Sequence, residues 1–133
     1  MKNIILILFA FCLLISCNKD DDGQCVKYTE TSFVDVNAPT TIVGAINENI
    51  IIEVEVAVVD SCSEFSKFIE SVSSNKITIG VQVKNNTCID IACTASTETR
   101  TVDYTFTAQT TGNYILKFKS SETEFITVNI TIE

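Results

Sequence analysis

Five runs of alternating residues constrain this chain more than anything else in it. Ile50, Ile52, Val54, Val56 and Val58 alternate with Ile51, Glu53, Glu55, Ala57 and Val59. Ile77, Ile79, Val81 and Val83 do the same against Thr78, Gly80, Gln82 and Lys84. Val102, Tyr104 and Phe106 form a third face, Tyr114, Leu116 and Phe118 a fourth, and Ile126, Val128, Ile130 and Ile132 a fifth. Successive side chains on a strand point to opposite faces, so a period of two means a strand with one buried side. Thr, Val and Ile dominate the runs, which suits a pleated, half-buried surface. Two more strand regions are expected near 26–36 and 40–44, with Pro39 as the break. About seven antiparallel strands in one domain point to an all-β sandwich. Thr110-Thr111-Gly112-Asn113 reads as a hairpin turn between two of the runs.

One segment has another period. Phe65, Phe68, Ile69 and Val72 recur at i, i+3, i+4 and i+7, the spacing of a helical face. Ser61 and Glu64 precede them as a capping box. The spacing predicts one short helix closing an end of the sandwich.

The chain begins differently. Met1-Lys2-Asn3 carries one positive charge, Ile4 to Ile15 holds no charged or strongly polar side chain, and Ser16-Cys17 follows. A charged start, a short apolar run and a small residue describe a secretory signal. A membrane-spanning helix needs about 20 apolar residues, so the run is too short to remain as one. Leu14-Ile15-Ser16-Cys17 resembles the bacterial lipobox. That resemblance implies a signal peptide at 1–16, cleavage before Cys17, and acyl chains of the palmitate type on Cys17. Each buried methylene contributes about 0.8 kcal/mol, so two or three chains anchor effectively for good. Residues 17–24 form a lipidated tether. Its seven residues Asn18 to Gln24 reach about 25 Å when fully extended. Lys19, Asp20, Asp21 and Asp22 within it resemble the surface-export tag of Bacteroidota lipoproteins, which implies an outer-membrane, surface-exposed anchor. The partner that follows is the lipid bilayer, held through the Cys17 acyl chains.

The formal net charge is −8, and the leader's only charge is Lys2, so the remainder carries −9. Nucleic-acid binding needs clustered Lys and Arg, and Arg100 is the sole arginine, so no nucleic acid is expected. No His is present, which removes the commonest acid–base group and metal ligand. Glu53 and Glu55 share a strand face but read as solvated side chains. Asp90, Glu98, Asp103, Glu122 and Glu124 fall in loops or at strand ends, and no D-x-D-x-D-G loop gathers them into a calcium site. No cofactor, metal or catalytic residue is expected, and the chain reads as a non-enzyme.

Besides Cys12 in the leader and Cys17, four cysteines remain: Cys25, Cys62, Cys88 and Cys93. An even number in an exported domain suggests two disulfides, and no C-x-x-C supports zinc. Spacing alone leaves three pairings open, among them an up-and-down arrangement joining Cys25 to Cys62 and Cys88 to Cys93.

Tyr104-Thr105-Phe106 and Thr111-Gly112-Asn113-Tyr114-Ile115-Leu116 resemble the penultimate hairpin of bacterial immunoglobulin-like domains. In that likeness Tyr114 is the corner tyrosine, its ring packed inside and its hydroxyl on a backbone partner. Leu116 stands where antibody-type domains carry a cysteine. With the lipobox, the acidic tag, Cys62-Ser63-Glu64-Phe65 and Cys93-Thr94, the whole chain resembles small surface lipoproteins of flavobacteria. The resemblance implies an immunoglobulin-like sandwich over 25–133 and a Cys62–Cys93 bridge, which leaves Cys25 with Cys88. It implies no function. Two classes stay open: a noncatalytic binding or structural module facing an envelope protein or a glycan, and a displayed hydrolase or enzyme inhibitor. Composition favours the first. The stretch 84–98 reads as the longest loop, with Asn85, Asn86 and Asp90 as its contact residues.

Overall fold

The computed structural model describes residues 25–87, 92–95 and 98–133. These form nine strands: β1 (Val26–Thr31), β2 (Phe33–Asn37), β3 (Thr41–Gly44), β4 (Ile50–Ala57), β5 (Ser63–Ser73), β6 (Lys76–Asn86), β7 (Thr99–Phe106), β8 (Gly112–Lys119) and β9 (Phe125–Ile132). A six-stranded sheet runs β1-β6-β8-β9-β3, with β5 paired to β6, and a three-stranded sheet runs β2-β4-β7. The alternating runs bury the faces expected of them. Ile52, Val54 and Val56 from β4, Ile79, Val81 and Val83 from β6, Leu116 and Phe118 from β8, and Val128 and Ile130 from β9 pack into one core. Phe33, Phe68, Tyr104 and Phe118 interlock at its centre, with ring centroids 5.2–6.2 Å apart. The result is sandwich-like and all-β. Among the described residues every strand lies within 26–132, and every buried core residue falls between Phe33 and Ile132.

The expected helix is not there. Phe65, Phe68, Ile69 and Val72 lie on β5, which pairs antiparallel with β6 from end to end. Phe65 sits opposite Val83 and Phe68 opposite Val81, with a register shift between Phe65 and Lys67. A β-bulge inserts one extra residue, so two phenylalanines three apart turn to the same face. Phe68, Glu70 and Val72 then return to a period of two, and Ile69 faces outward opposite Gly80. A bulged strand thus imitates a helical stripe. Nor do Ser61 and Glu64 cap a helix: Ser61 bonds Thr94 and Glu64 pairs with Lys84 at 3.4 Å.

Three further expectations are corrected. There are nine strands among the described residues rather than about seven, because the first expected strand breaks at Ser32, sending β1 and β2 into different sheets, and because β5 stands where a helix was expected. The sheets are not wholly antiparallel, since β3 pairs parallel with β9 and β6 parallel with β8. The Thr110–Asn113 segment is not a hairpin turn, because β7 and β8 lie in different sheets and the connection crosses between them. Gly112 opens β8 with φ at 143°, a conformation that side chains strain to adopt. The hairpin of this region joins β8 to β9, where Ser120 and Ser121 donate to the Glu124 carbonyl.

Candidate functional site

The chain passes from the three-stranded sheet to the six-stranded one through Val58 to Cys62. Asp60 organises this crossing. Its Oδ1 accepts the Cys62 amide at 3.0 Å and the Ser63 hydroxyl at 2.8 Å, and its Oδ2 accepts the Asn85 side-chain amide. An Asp bonding backbone two residues on is the Asx turn that short acidic side chains favour. Ser63 is fully buried, and its hydroxyl is satisfied by Asp60. Cys62 and Cys93 are joined in a disulfide with Cα atoms 5.5 Å apart, the pairing implied by the family resemblance. Beside it the Ser61 amide donates to the Thr94 carbonyl at 3.0 Å, and Asp60 pairs with Ala95 in an isolated bridge. The segment before β7 is therefore stapled to the β4–β5 crossing by one covalent bond and several hydrogen bonds.

A cavity of about 290 Å³ opens here, lined by Ser61, Cys62, Glu64, Lys84, Asn86 and Arg100 among others. Asp60, Cys62 and Cys93 place a carboxylate oxygen and two sulfurs within 4.8 Å. The two sulfurs are bonded to each other, so the metal-binding form of cysteine, the thiolate, does not exist in this state. The carboxylate is already occupied by three donors of the same chain. These residues do not fit a metal.

The sequence candidates distribute unevenly. Asn85 and Asn86 are not loop residues; they belong to the end of β6, paired with β1 across from Lys27 and Val26. The alternating pattern of β6 continues through two asparagines that propensity reads as turn formers. Asn85 is half-buried and structural, while Asn86 is exposed and lines the cavity. Asp90, Cys88, Cys17 and the tag residues Lys19, Asp20, Asp21 and Asp22 lie outside the described residues. Cys25 is disulfide-bonded, and Cys88, its expected partner, falls in that excluded group. Glu53 and Glu55 occupy the solvent face of β4, where Glu53 accepts a bond from Asn37 at 3.0 Å. Asp60 and Thr94 were missed by sequence reasoning; Asp60-Ser61-Cys62-Ser63 carries the Asx-turn signal that finds the first.

A second, open groove of about 520 Å³ lies where the β5 edge meets the β7–β8 crossing. Its lining includes Glu70, Val72, Tyr104, Phe106, Thr110 and Tyr114. Burial pushes the Tyr104 hydroxyl well above the ordinary tyrosine value, and the charge and hydrogen bond of Glu70 add to the shift. The phenol therefore stays protonated and acts as a donor, not as a base or nucleophile. Tyr114 packs against Phe106 and its hydroxyl donates to the Thr110 carbonyl at 3.0 Å.

No family model, curated protein or solved structure matches the chain. Among the described residues no helix is long and apolar enough to cross a membrane.

Proposed function

We propose that this chain is a lipid-anchored surface lipoprotein whose β domain is a noncatalytic binding or structural module. The observation that carries the reading is Leu14-Ile15-Ser16-Cys17 followed at once by Lys19-Asp20-Asp21-Asp22 and then by the nine strands described over 26–132. The anchor sits in the outer membrane, with the domain on the cell surface and an envelope protein or glycan as its partner. Two observations support a noncatalytic role. Asp60, next to the cavity-lining Ser61, accepts three bonds from its own chain, and Glu64, the carboxylate in the cavity lining, is paired with Lys84. Burial and Glu70 hold the Tyr104 hydroxyl protonated, so it offers no phenolate nucleophile.

An immunoglobulin-like topology is part of this proposal. The parallel β3–β9 edge and the Tyr114–Thr110 corner support it; the parallel β6–β8 pairing is its departure from the antiparallel pattern. The contact surface on this reading is the disulfide-stapled end, where Asn86 and Arg100 are exposed beside the cavity. Ordering that end in advance lowers the entropy cost of binding. Residues 24–133 should give no turnover on panels of glycoside, ester and peptide substrates. Reproducible turnover, lost on unfolding, overturns the noncatalytic claim.

A further inference from the structure

The register of the two sheets sorts charge by face. Outward from the three-stranded sheet point Asp35, Glu53, Glu55 and Asp103: Asp35 stands directly across from Glu55, and Glu53 directly across from Asp103. Among the described residues no Lys or Arg shares that outward register. Like charges directly opposite one another destabilise a sheet; among the described residues Asn37 and Thr99 donate to Glu53 and Glu55, but no cation stands on this face to balance the four carboxylates. Outward from the six-stranded sheet point Lys67, Lys76, Lys84, Lys117 and Lys119, against Glu30 and Glu64 alone among the described residues, Glu64 being paired with Lys84. Five of the seven cations after residue 24 thus occupy one face. Each face also exposes apolar side chains: Ile51, 64% exposed, on the acidic one, and Val43 and Phe125 on the basic one.

We propose that these faces are complementary surfaces for a second copy of this chain, the acidic sheet of one stacking on the lysine-rich sheet of the next. Each contact then neutralises the acidic face of one copy against the basic face of the next and covers Ile51. The contact is head-to-tail, so it leaves a free face at each end and propagates rather than closing into a dimer. Its size sets its strength. Eight residues at ~3.3 Å and three strands at ~4.8 Å give a footprint of roughly 26 by 14 Å. That is about half of the ~800 Å² per partner of a stable complex, so the association is weak and concentration-dependent. Salt acts twice. Residues 24–133 hold seven cations and fourteen acidic residues, and their net charge of −7 repels at long range, while the opposed faces attract at contact. At about 0.1 M salt the Debye length is ~10 Å, which screens the first and spares the second; at about 1 M it is ~3 Å and both are lost.

Sedimentation of residues 24–133 at high protein concentration tests this. At about 0.1 M salt the weight-average mass should climb past twice the monomer, and at about 1 M it should return to the monomer. Asp35→Lys with Glu53→Lys should leave monomers, as should Lys76→Glu with Lys117→Glu. Mixing the two double variants should restore association that stops at a one-to-one pair, because each retains one intact face. That restoration also shows that both variants fold. Wild type that stays monomeric at about 0.1 M salt, or that associates equally in either double variant, overturns the proposal.

Discussion

The buried hydroxyl of Ser63 donates to Asp60 Oδ1 at 2.8 Å, and this pair locks the crossing between the two sheets. Removing the acceptor orphans that hydroxyl together with the Cys62 amide and the Asn85 amide. A buried donor left without a partner costs about 1–3 kcal/mol, so Asp60→Ala should destabilise by about 2–4 kcal/mol in denaturant unfolding. Ser63→Ala removes a donor and leaves Asp60 two others, so it should cost only about 1 kcal/mol. Equal losses in the two variants would show that Asp60 does not organise the turn.

The Cys62–Cys93 bridge spans a sequence separation of 31 residues. Loop entropy for a ring of that size is about 3–4 kcal/mol. Cys62→Ala with Cys93→Ala should therefore lower stability by an amount of that order and leave the strand content unchanged. Nonreducing peptide mapping should recover a Cys62–Cys93 peptide; a Cys88–Cys93 peptide would contradict the fold at this end.

Tyr104 makes stability depend on alkaline pH. Its hydroxyl is held above its ordinary value in the folded chain by burial and by Glu70. In the unfolded chain the phenol ionises near its reference value of about 10. Above that pH the unfolded state releases a proton that the native state keeps, so stability present below about pH 10 is lost as pH rises beyond it. The difference in unfolding free energy between wild type and Tyr104→Phe should be flat through neutral pH and shift against wild type above about pH 10. A difference that stays constant to high pH would refute the coupling. Tyrosinate absorbance should show Tyr104 ionising only as the fold is lost.

Tyr114→Phe keeps the ring on Phe106 and loses the bond to the Thr110 carbonyl. Because this bond is solvent-exposed, the cost should be about 0.5–1.5 kcal/mol, readable as a small drop in thermal midpoint. No measurable drop would show that the corner bond is idle.

The strand faces were legible because hydrophobic burial is local in sequence: Ile50 to Val58 and Ile77 to Val83 announce their inward side by parity alone. Pairing was not. Whether β6 meets β8 in parallel, or β7 leaves for the other sheet, depends on contacts far along the chain. The bulge at Phe65–Lys67 hid a strand inside a helical period. The carboxylate ladder Glu53–Asp103 was invisible because each residue alone reads as solvated, and only the register sets them opposite. Of the candidate contact residues, Asn85 proved structural because Asp60, distant in sequence, captures its amide.

The anchor itself is tested most directly by metabolic labelling of the full chain with a fatty acid in an outer-membrane-bearing host. Wild type should become acyl-labelled, lose its leader, and partition into detergent. Cys17→Ala should remain an unlabelled precursor. Processed, labelled Cys17→Ala protein in the detergent phase would contradict the account at its root.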